Sequence, residues 1–121
     1  MVLYPSESWG AMKEKVVDTL LLVDDNPFNR DGISMYLRTK EFRILEAGDY
    51  TTAWQLAMQE QPDAAVIDIV IPLVAQGELS RDTSLGLQLA RELKTHYPAL
   101  GIVLLSAYED RGREFFAMIE A

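Results

Sequence analysis

Residues 64–72 read Ala-Ala-Val-Ile-Asp-Ile-Val-Ile-Pro, an apolar run that carries one charged side chain, that of Asp68, and ends in a proline. A run so rich in Val and Ile is typical of a strand buried on both faces, as in a parallel sheet covered by helices. Because an unpaired carboxylate inside such a strand would cost several kcal/mol, we expect Asp68 at the strand's open end, among polar partners. The simpler interpretation is that Asp68 caps the turn after the strand.

Other apolar runs have the same character. Residues 20–23 form one that ends in an acidic pair, and two more follow at residues 42–47 and 101–105. Apolar residues at helical spacing come after every run, the last of them in residues 109–121, where we expect a helix. This β-α pattern, repeated four times, predicts an α/β fold with a parallel sheet, right-handed crossovers and helices on both faces.

The composition limits the class of protein. The 121 residues are 49% hydrophobic, which suits one domain, and their formal net charge is -8. This charge argues against direct binding to nucleic acid or to an anionic membrane, and it suits a site that recruits a metal cation. The chain has no cysteine, which excludes disulfides and thiolate chemistry. No apolar segment reaches the roughly 18 residues of a membrane span and no signal-peptide pattern is present, so we expect a cytoplasmic protein.

The chain divides into residues 1–19, an N-terminal extension or linker, and residues 20–121, the folded domain. Trp9, Met12 and Val16 have helical spacing, so the extension is either a short helix or a linker remnant.

Polar side chains stand where the predicted strands end. Asp24 and Asp25 follow the first strand, Asp68 closes the third and Ser106 follows the fourth. Open parallel sheets bind ligands in the crevice outside these carboxyl ends. Three neighbouring carboxylates repel one another unless a divalent cation neutralises them, and Mg²⁺ prefers such oxygen ligands. Asp68, alone on the central strand, is then the best nucleophile for an aspartyl-phosphate, while the pair holds the metal. The alternatives are that the pair is only a turn and that Ser106 only caps a helix.

Three motifs together resemble those of a known family. They are Leu-Leu-Val-Asp-Asp-Asn-Pro at 21–27, Val-Ile-Asp-Ile-Val-Ile-Pro at 66–72 and Val-Leu-Leu-Ser-Ala at 103–107. From residue 20 to 121 the chain resembles a response-regulator receiver domain of two-component signalling. The resemblance implies a flavodoxin-like sheet, here with strand order 2-1-3-4. It also implies a domain that takes a phosphoryl group from a histidine kinase or phosphotransfer protein and changes the surface read by an output partner.

The resemblance also assigns roles to particular residues. It implies that Asp68 is the phosphoacceptor, that Asp25 binds Mg²⁺ directly and that Asp24 completes the acidic pair. The Val70 carbonyl is implied as a further metal ligand. Ser106 corresponds to the hydroxyl residue that turns toward the phosphoryl group on activation.

Two departures from the family pattern stand out. In the family, a glycine follows the proline after the phosphoacceptor within a few residues. Here residues 73–84 form an inserted loop without helical or strand periodicity. We expect this loop to restrict access to the site. The family's lysine at the end of a fifth strand has no counterpart here, which suggests a domain that is incomplete at its C-terminus.

These departures leave alternatives for the assembly and the function of the chain. A missing fifth strand would leave residues 101–105 as a sheet edge and would uncover the first helix. We therefore expect a homodimer through edge pairing or exchange of the last helix. The rival function is a pseudo-receiver that binds or dimerises without phosphate. A metal-dependent phosphatase is a weaker alternative, since its motif needs carboxylates spaced by one residue and Asp24-Asp25 are adjacent.

Overall fold

The computed structural model describes residues 2–3, 15–77, 84–108 and 113–119, with side-chain surroundings for 17–77 and 84–105. None of the helices in this part of the chain is long and apolar enough to cross a membrane. The elements in chain order are β1 (Val2–Leu3), β2 (Lys15–Val16), β3 (Thr19–Val23), α1 (Pro27–Arg38), β4 (Arg43–Ala47), α2 (Tyr50–Glu60), β5 (Ala64–Asp68), α3 (Leu85–His96), β6 (Gly101–Tyr108) and β7 (Arg113–Ile119).

The main sheet has the order β4-β3-β5-β6-β7. Its first four strands are parallel, so the predicted order 2-1-3-4 is confirmed. Alternate residues of β3 belong to different buried clusters: Leu21 shares one with Leu89 and Leu93 of α3, whereas Leu20 shares the other with Leu37 of α1. Helices therefore cover both faces, as the uninterrupted apolar runs predict.

Local sequence signals determine where α1 and α2 begin. The Asn26 side chain accepts hydrogen bonds from the N–H groups of Phe28 and Asn29, and Pro27 occupies the first turn of α1, where it needs no N–H partner. In α2, Asp49 caps the N–H of Thr52 at 2.8 Å. Both caps lie at the end of the sheet where β3 and β4 finish.

The prediction for the C-terminal segment was wrong. Residues 113–119, expected in a helix, form β7, which runs antiparallel to β6 from Ile102 opposite Ile119 to Tyr108 opposite Arg113. The helical spacing was outweighed because β6 offers an unpaired apolar edge and the segment contains two adjacent phenylalanines, which favour a strand. The 101–105 edge is therefore paired within the chain, which removes the basis for a dimer by edge pairing or by exchange of a last helix.

The N-terminal extension also differs in part from its prediction. Val16 belongs to β2, which pairs antiparallel with β1, so it is not helical. Trp9 and Met12 lie outside the described residues.

Candidate functional site

The structure brings three carboxylates together at the carboxyl ends of β3 and β5. One carboxylate oxygen from each of Asp24, Asp25 and Asp68 lies within 4.8 Å of the others. The register explains this, because Val23 of β3 stands opposite Ile67 of β5, so the next residue of each strand emerges at the same level. Asp24 is buried, while Asp25 and Asp68 are partly exposed, so the cluster is open to solvent on one side.

Hydrogen bonds to its backbone groups hold the turn that carries the acidic pair. The Asp24 N–H donates to the Ala47 carbonyl at 3.0 Å, and the Asn26 N–H donates to Asp24 Oδ1 at 2.9 Å. Arg30 of α1 reaches back and donates from Nη1 to the Asp24 carbonyl at 2.7 Å. Its Nε lies 3.3 Å from Glu46 Oε1, so an ion pair orients the guanidinium. Arg30 thus ties α1 and β4 to the acidic turn.

The turn after Asp68 is held between β6 and α3. The Val70 N–H donates to Asp68 Oδ1 at 3.0 Å, and the Ile69 N–H donates to the Leu105 carbonyl at 2.9 Å. The Gly86 N–H donates to the Ile69 carbonyl at 2.9 Å. A side chain on Gly86 could not be accommodated, since its β-carbon would stand 2.8 Å from the Asp68 carbonyl carbon. Gly86 therefore lets α3 approach the backbone of the central carboxylate.

Val70 and Ser106 lie at the same end of the sheet as the carboxylates, where the parallel strands have their carboxyl ends. Val70 belongs to the turn just described. Ser106 follows Leu105, which stands opposite Asp68 in the β5–β6 pairing. Its side chain lies outside the described part of the chain, so its predicted role stays a prediction.

The three carboxylates fit a magnesium ion. Oxygen ligands at about 2.1 Å from an octahedral Mg²⁺ lie about 3 Å apart when adjacent and about 4.2 Å apart when opposite. The oxygens of the cluster lie within 4.8 Å of one another, which is close to that range. Two of the carboxylates can therefore bind such an ion directly with a small shift, and the third can bind it through water, as Mg²⁺ commonly allows.

The start of the inserted loop is fastened to α2. The Tyr50 N–H donates to the Pro72 carbonyl at 2.9 Å, and the Thr51 N–H donates to the Leu73 carbonyl at 3.0 Å. The Thr51 hydroxyl also donates to the Leu73 carbonyl, at 2.8 Å. These bonds satisfy helix N-terminal donors that have no partner within the helix. No motif in the sequence signals this attachment, and residues 78–83 of the loop lie outside the described part.

A second feature without a sequence signal joins α2 to α3. The Tyr50 hydroxyl donates a hydrogen bond to Glu92 Oε2. Burial, followed by this bond, raises the pKa of Tyr50 from 10.0 to about 12. The same bond, with a second one from Gln88, lowers the pKa of Glu92 below its ordinary value. Tyr50 thus links the helix that fastens the loop to the helix that abuts Asp68.

The fold and the site define a flavodoxin-like α/β domain with a carboxylate cluster at the carboxyl ends of its first and third parallel strands. Residues 20–120 match the family described as the response regulator receiver domain. The chain therefore belongs to the receiver-domain family of two-component signalling.

Similar proteins carry the same domain. The chain is 35% identical over 96 residues to the probable transcriptional regulatory protein TcrX of Mycobacterium tuberculosis. It is 33% identical over 89 residues to the response regulator GtcR of Aneurinibacillus migulanus. These alignments cover 77% and 74% of this chain but 37% and 32% of the two relatives, so the chain spans about a third of their length.

Solved structures agree with the fold. The response regulator TrrA of Thermotoga maritima, solved in complex with Mg(2+)-BeF, aligns with a TM-score of 0.63 at 25% identity, over 77% of this chain and 72% of that one. A two component transcriptional regulator AraC from Clostridium phytofermentans aligns with a TM-score of 0.60 at 26% identity, over 78% and 70%.

Proposed function

We propose that this receiver domain is a phosphoacceptor switch. It takes a phosphoryl group onto Asp68 with the help of Mg²⁺, and phosphorylation changes the surface presented to an output partner. The observation that carries the proposal is the meeting of the Asp24, Asp25 and Asp68 carboxylate oxygens within 4.8 Å of one another. Asp25 is the direct ligand in this proposal, Asp24 acts through water, and Asp68 and the Val70 carbonyl complete the protein ligands.

The transfer itself is a displacement at phosphorus. A carboxylate oxygen of Asp68 attacks the phosphoryl group of a histidine kinase or phosphotransfer protein and forms a P–O bond. The P–N bond to the donor imidazole breaks, and its electron pair leaves with the imidazole. Bound Mg²⁺ supplies charge neutralisation for the phosphoryl oxygens among the carboxylates.

This chain's own groups orient the acceptor. The Val70 N–H holds one Asp68 oxygen at 3.0 Å, and Gly86 keeps α3 against the same turn, so the carboxylate is positioned before a donor arrives. Ser106, the residue after Leu105, is proposed to turn its hydroxyl toward the transferred phosphoryl group as the switch.

The rival is a pseudo-receiver that works as a binding or dimerisation module without phosphate. The two functions differ in one property, namely whether Asp68 is modified. The cytoplasmic location and the output partner stay predictions under either function, and the histidine kinase stays a prediction of the phosphoacceptor function.

The experiment is to incubate the chain with Mg²⁺ and acetyl phosphate or a phosphoramidate and to weigh the intact protein. The phosphoacceptor function predicts a mass increase of one phosphoryl group that disappears without Mg²⁺ and in Asp68→Asn. Asp31→Asn is the matched control, since Asp31 is an exposed carboxylate of α1 outside the acidic cluster. A wild type that gains no mass favours the pseudo-receiver. An adduct that persists in Asp68→Asn would show that a residue other than Asp68 accepts the phosphoryl group.

A further inference from the structure

Arg30 holds the peptide group that joins the two members of the acidic pair. Its Nη1 donates to the Asp24 carbonyl at 2.7 Å. Because a peptide group is planar, holding this carbonyl also fixes the plane that contains the Cα atoms of Asp24 and Asp25. The Asp24 N–H is held separately, by the Ala47 carbonyl at 3.0 Å. Arg30 therefore acts on the position of Asp25, the proposed direct Mg²⁺ ligand, through the backbone.

The residue after β4 leaves room for the guanidinium. A β-carbon on Gly48 would stand 3.1 Å from Arg30 Nη1, which is closer than nine in ten real β-carbon contacts. The same β-carbon would lie 3.9 Å from the Asp25 Cα. A side chain at this position would thus press on the guanidinium where it meets the acidic turn, and Gly48 avoids this.

Glu46 holds Arg30 by charge. Arg30 Nε lies 3.3 Å from Glu46 Oε1. This buried nitrogen makes no hydrogen bond within the described part of the chain, so the contact is an ion pair without hydrogen-bond geometry. The second oxygen of Glu46 accepts a hydrogen bond from the Ser34 hydroxyl at 3.4 Å and lies 3.6 Å from Arg38 Nη2. The Arg30 and Glu46 side chains are 23% and 31% exposed, so salt screens their attraction less than that of a fully exposed pair.

We infer that Arg30 is a positioning residue for the Mg²⁺ site and that Glu46 acts through Arg30. The inference rests on the proposed function, because it concerns the ion that the acidic pair is proposed to bind. Charge and positioning predict opposite effects on that ion. By charge alone, a cation beside the acidic turn repels Mg²⁺, so removing the guanidinium would strengthen Mg²⁺ binding. By positioning, removing the guanidinium weakens Mg²⁺ binding.

A calorimetric Mg²⁺ titration of Arg30→Met tests the inference. Methionine keeps an unbranched, flexible side chain and removes the guanidinium. We expect Mg²⁺ binding to weaken about tenfold, as is typical when a partner of a metal ligand is lost. Arg43→Met is the matched control, because Arg43 begins β4, at the end away from the acidic turn, and pairs with Glu60 at 2.8 Å. This control removes the same charge and one Arg–Glu ion pair, and it should leave the Mg²⁺ affinity unchanged.

The possible failures can be told apart. Folded Arg30→Met that binds Mg²⁺ as tightly as the wild type, or more tightly, overturns the inference alone. A wild type that binds no Mg²⁺ overturns the proposed function and the inference with it.

Glu46→Gln is a milder change that tests the second half of the inference. It keeps the shape of the side chain and removes the charge that holds Arg30. We expect severalfold weaker Mg²⁺ binding in the wild-type background and little further loss in Arg30→Met, since residues that act through one another are not additive. Equal losses in both backgrounds would show that Glu46 acts by its own charge.

Hydrogen exchange of the metal-free chain gives a readout that needs no Mg²⁺. The Asn26 N–H donates to Asp24 Oδ1 at 2.9 Å and therefore reports on the order of the acidic turn. It should exchange several times faster in Arg30→Met than in Arg43→Met, while the amides of β5 exchange alike in the two variants. Equal exchange of the Asn26 N–H would show that the turn keeps its structure without Arg30 and would overturn the positioning role.

Discussion

Gly86, in the first turn of α3, lies directly against the backbone of Asp68, the proposed phosphoacceptor. A β-carbon on Gly86 would stand 2.8 Å from both the Asp68 carbonyl carbon and the Ile69 Cα, which is closer than real β-carbons come. The inserted loop between Pro72 and Gly86 therefore leaves the packing of the acceptor turn in place. The glycine that follows the loop still occupies the position where α3 must touch β5.

Gly86→Ala is accordingly expected to harm both the fold and the site. The new methyl group must push α3 away from the Asp68 turn, at a cost of about 1–3 kcal/mol in the free energy of unfolding. Denaturant unfolding measures this cost, and a titration should find weaker Mg²⁺ binding.

The control for this variant is Gly32→Ala. The Gly32 position is open, so alanine there should stabilise the helix by about 0.4–1 kcal/mol. Equal effects of the two substitutions would contradict the role given to Gly86.

The two members of the acidic pair are expected to differ in their effect on Mg²⁺. Asp25→Ala, which removes the proposed direct ligand, should weaken Mg²⁺ binding by more than the roughly 10- to 100-fold typical of outer-sphere partners. Asp24→Ala should fall within that smaller range.

Stability without metal provides a second comparison of the pair. Loss of repulsion should stabilise metal-free Asp25→Ala. Asp24→Ala gains less, because it also loses the hydrogen bond that Asp24 Oδ1 accepts from the Asn26 N–H. Equal or reversed losses of Mg²⁺ affinity, measured by calorimetric titration, would refute the assignment of direct and indirect ligands.

Shortening the inserted loop should speed phosphorylation by a small donor. The deletion should fall after Val74, so that the carbonyls of Pro72 and Leu73 keep their hydrogen bonds to the N-terminus of α2. We expect a severalfold faster mass increase with acetyl phosphate, because the sequence predicts that the loop restricts access to the acceptor. An unchanged rate with an intact fold would make the loop a spacer or a partner-binding segment.

The Tyr50–Glu92 hydrogen bond makes stability depend on pH at both ends of the scale. The pKa of Glu92 is lowered from 4.5 in the folded state. Its contribution to the free energy of unfolding is therefore present above pH 4.5 and is lost as the pH falls through the pKa of the folded state. The pKa of Tyr50 is raised from 10.0 to about 12, so its contribution is complete below pH 10.0 and is lost as the pH rises to about 12.

Tyr50→Phe should flatten both ends of this profile when unfolding midpoints are compared across pH. The matched control is Tyr97→Phe, because the Tyr97 hydroxyl donates its hydrogen bond to the sulfur of Met58 rather than to Glu92. If Tyr50→Phe keeps the wild-type profile, the hydrogen bond does not link the two titrations.

The sequence was sufficient to predict the parallel strands, the helix starts and the meeting of the acidic residues. Apolar runs such as residues 20–23 and 64–68 identify strands buried on both faces, and Asn26-Pro27 identifies a helix start, because these signals depend on near neighbours in the chain. Once the strands are parallel and adjacent, Asp24 and Asp68 must emerge at the same edge. Their closeness follows from the strand pattern together with the strand order 2-1-3-4, which the family resemblance implies.

Other features depended on contacts between distant parts of the chain. Residues 113–119 have helical spacing and phenylalanines that suit a strand, and the open edge of β6 selected the strand. The bonds from α2 to Pro72 and Leu73, the contact of Gly86 with Asp68 and the Tyr50–Glu92 hydrogen bond likewise join residues that no local pattern connects. Local periodicity indicates only which side of a segment can be buried. The features named above formed because a distant element offered backbone groups or side chains that still needed a partner.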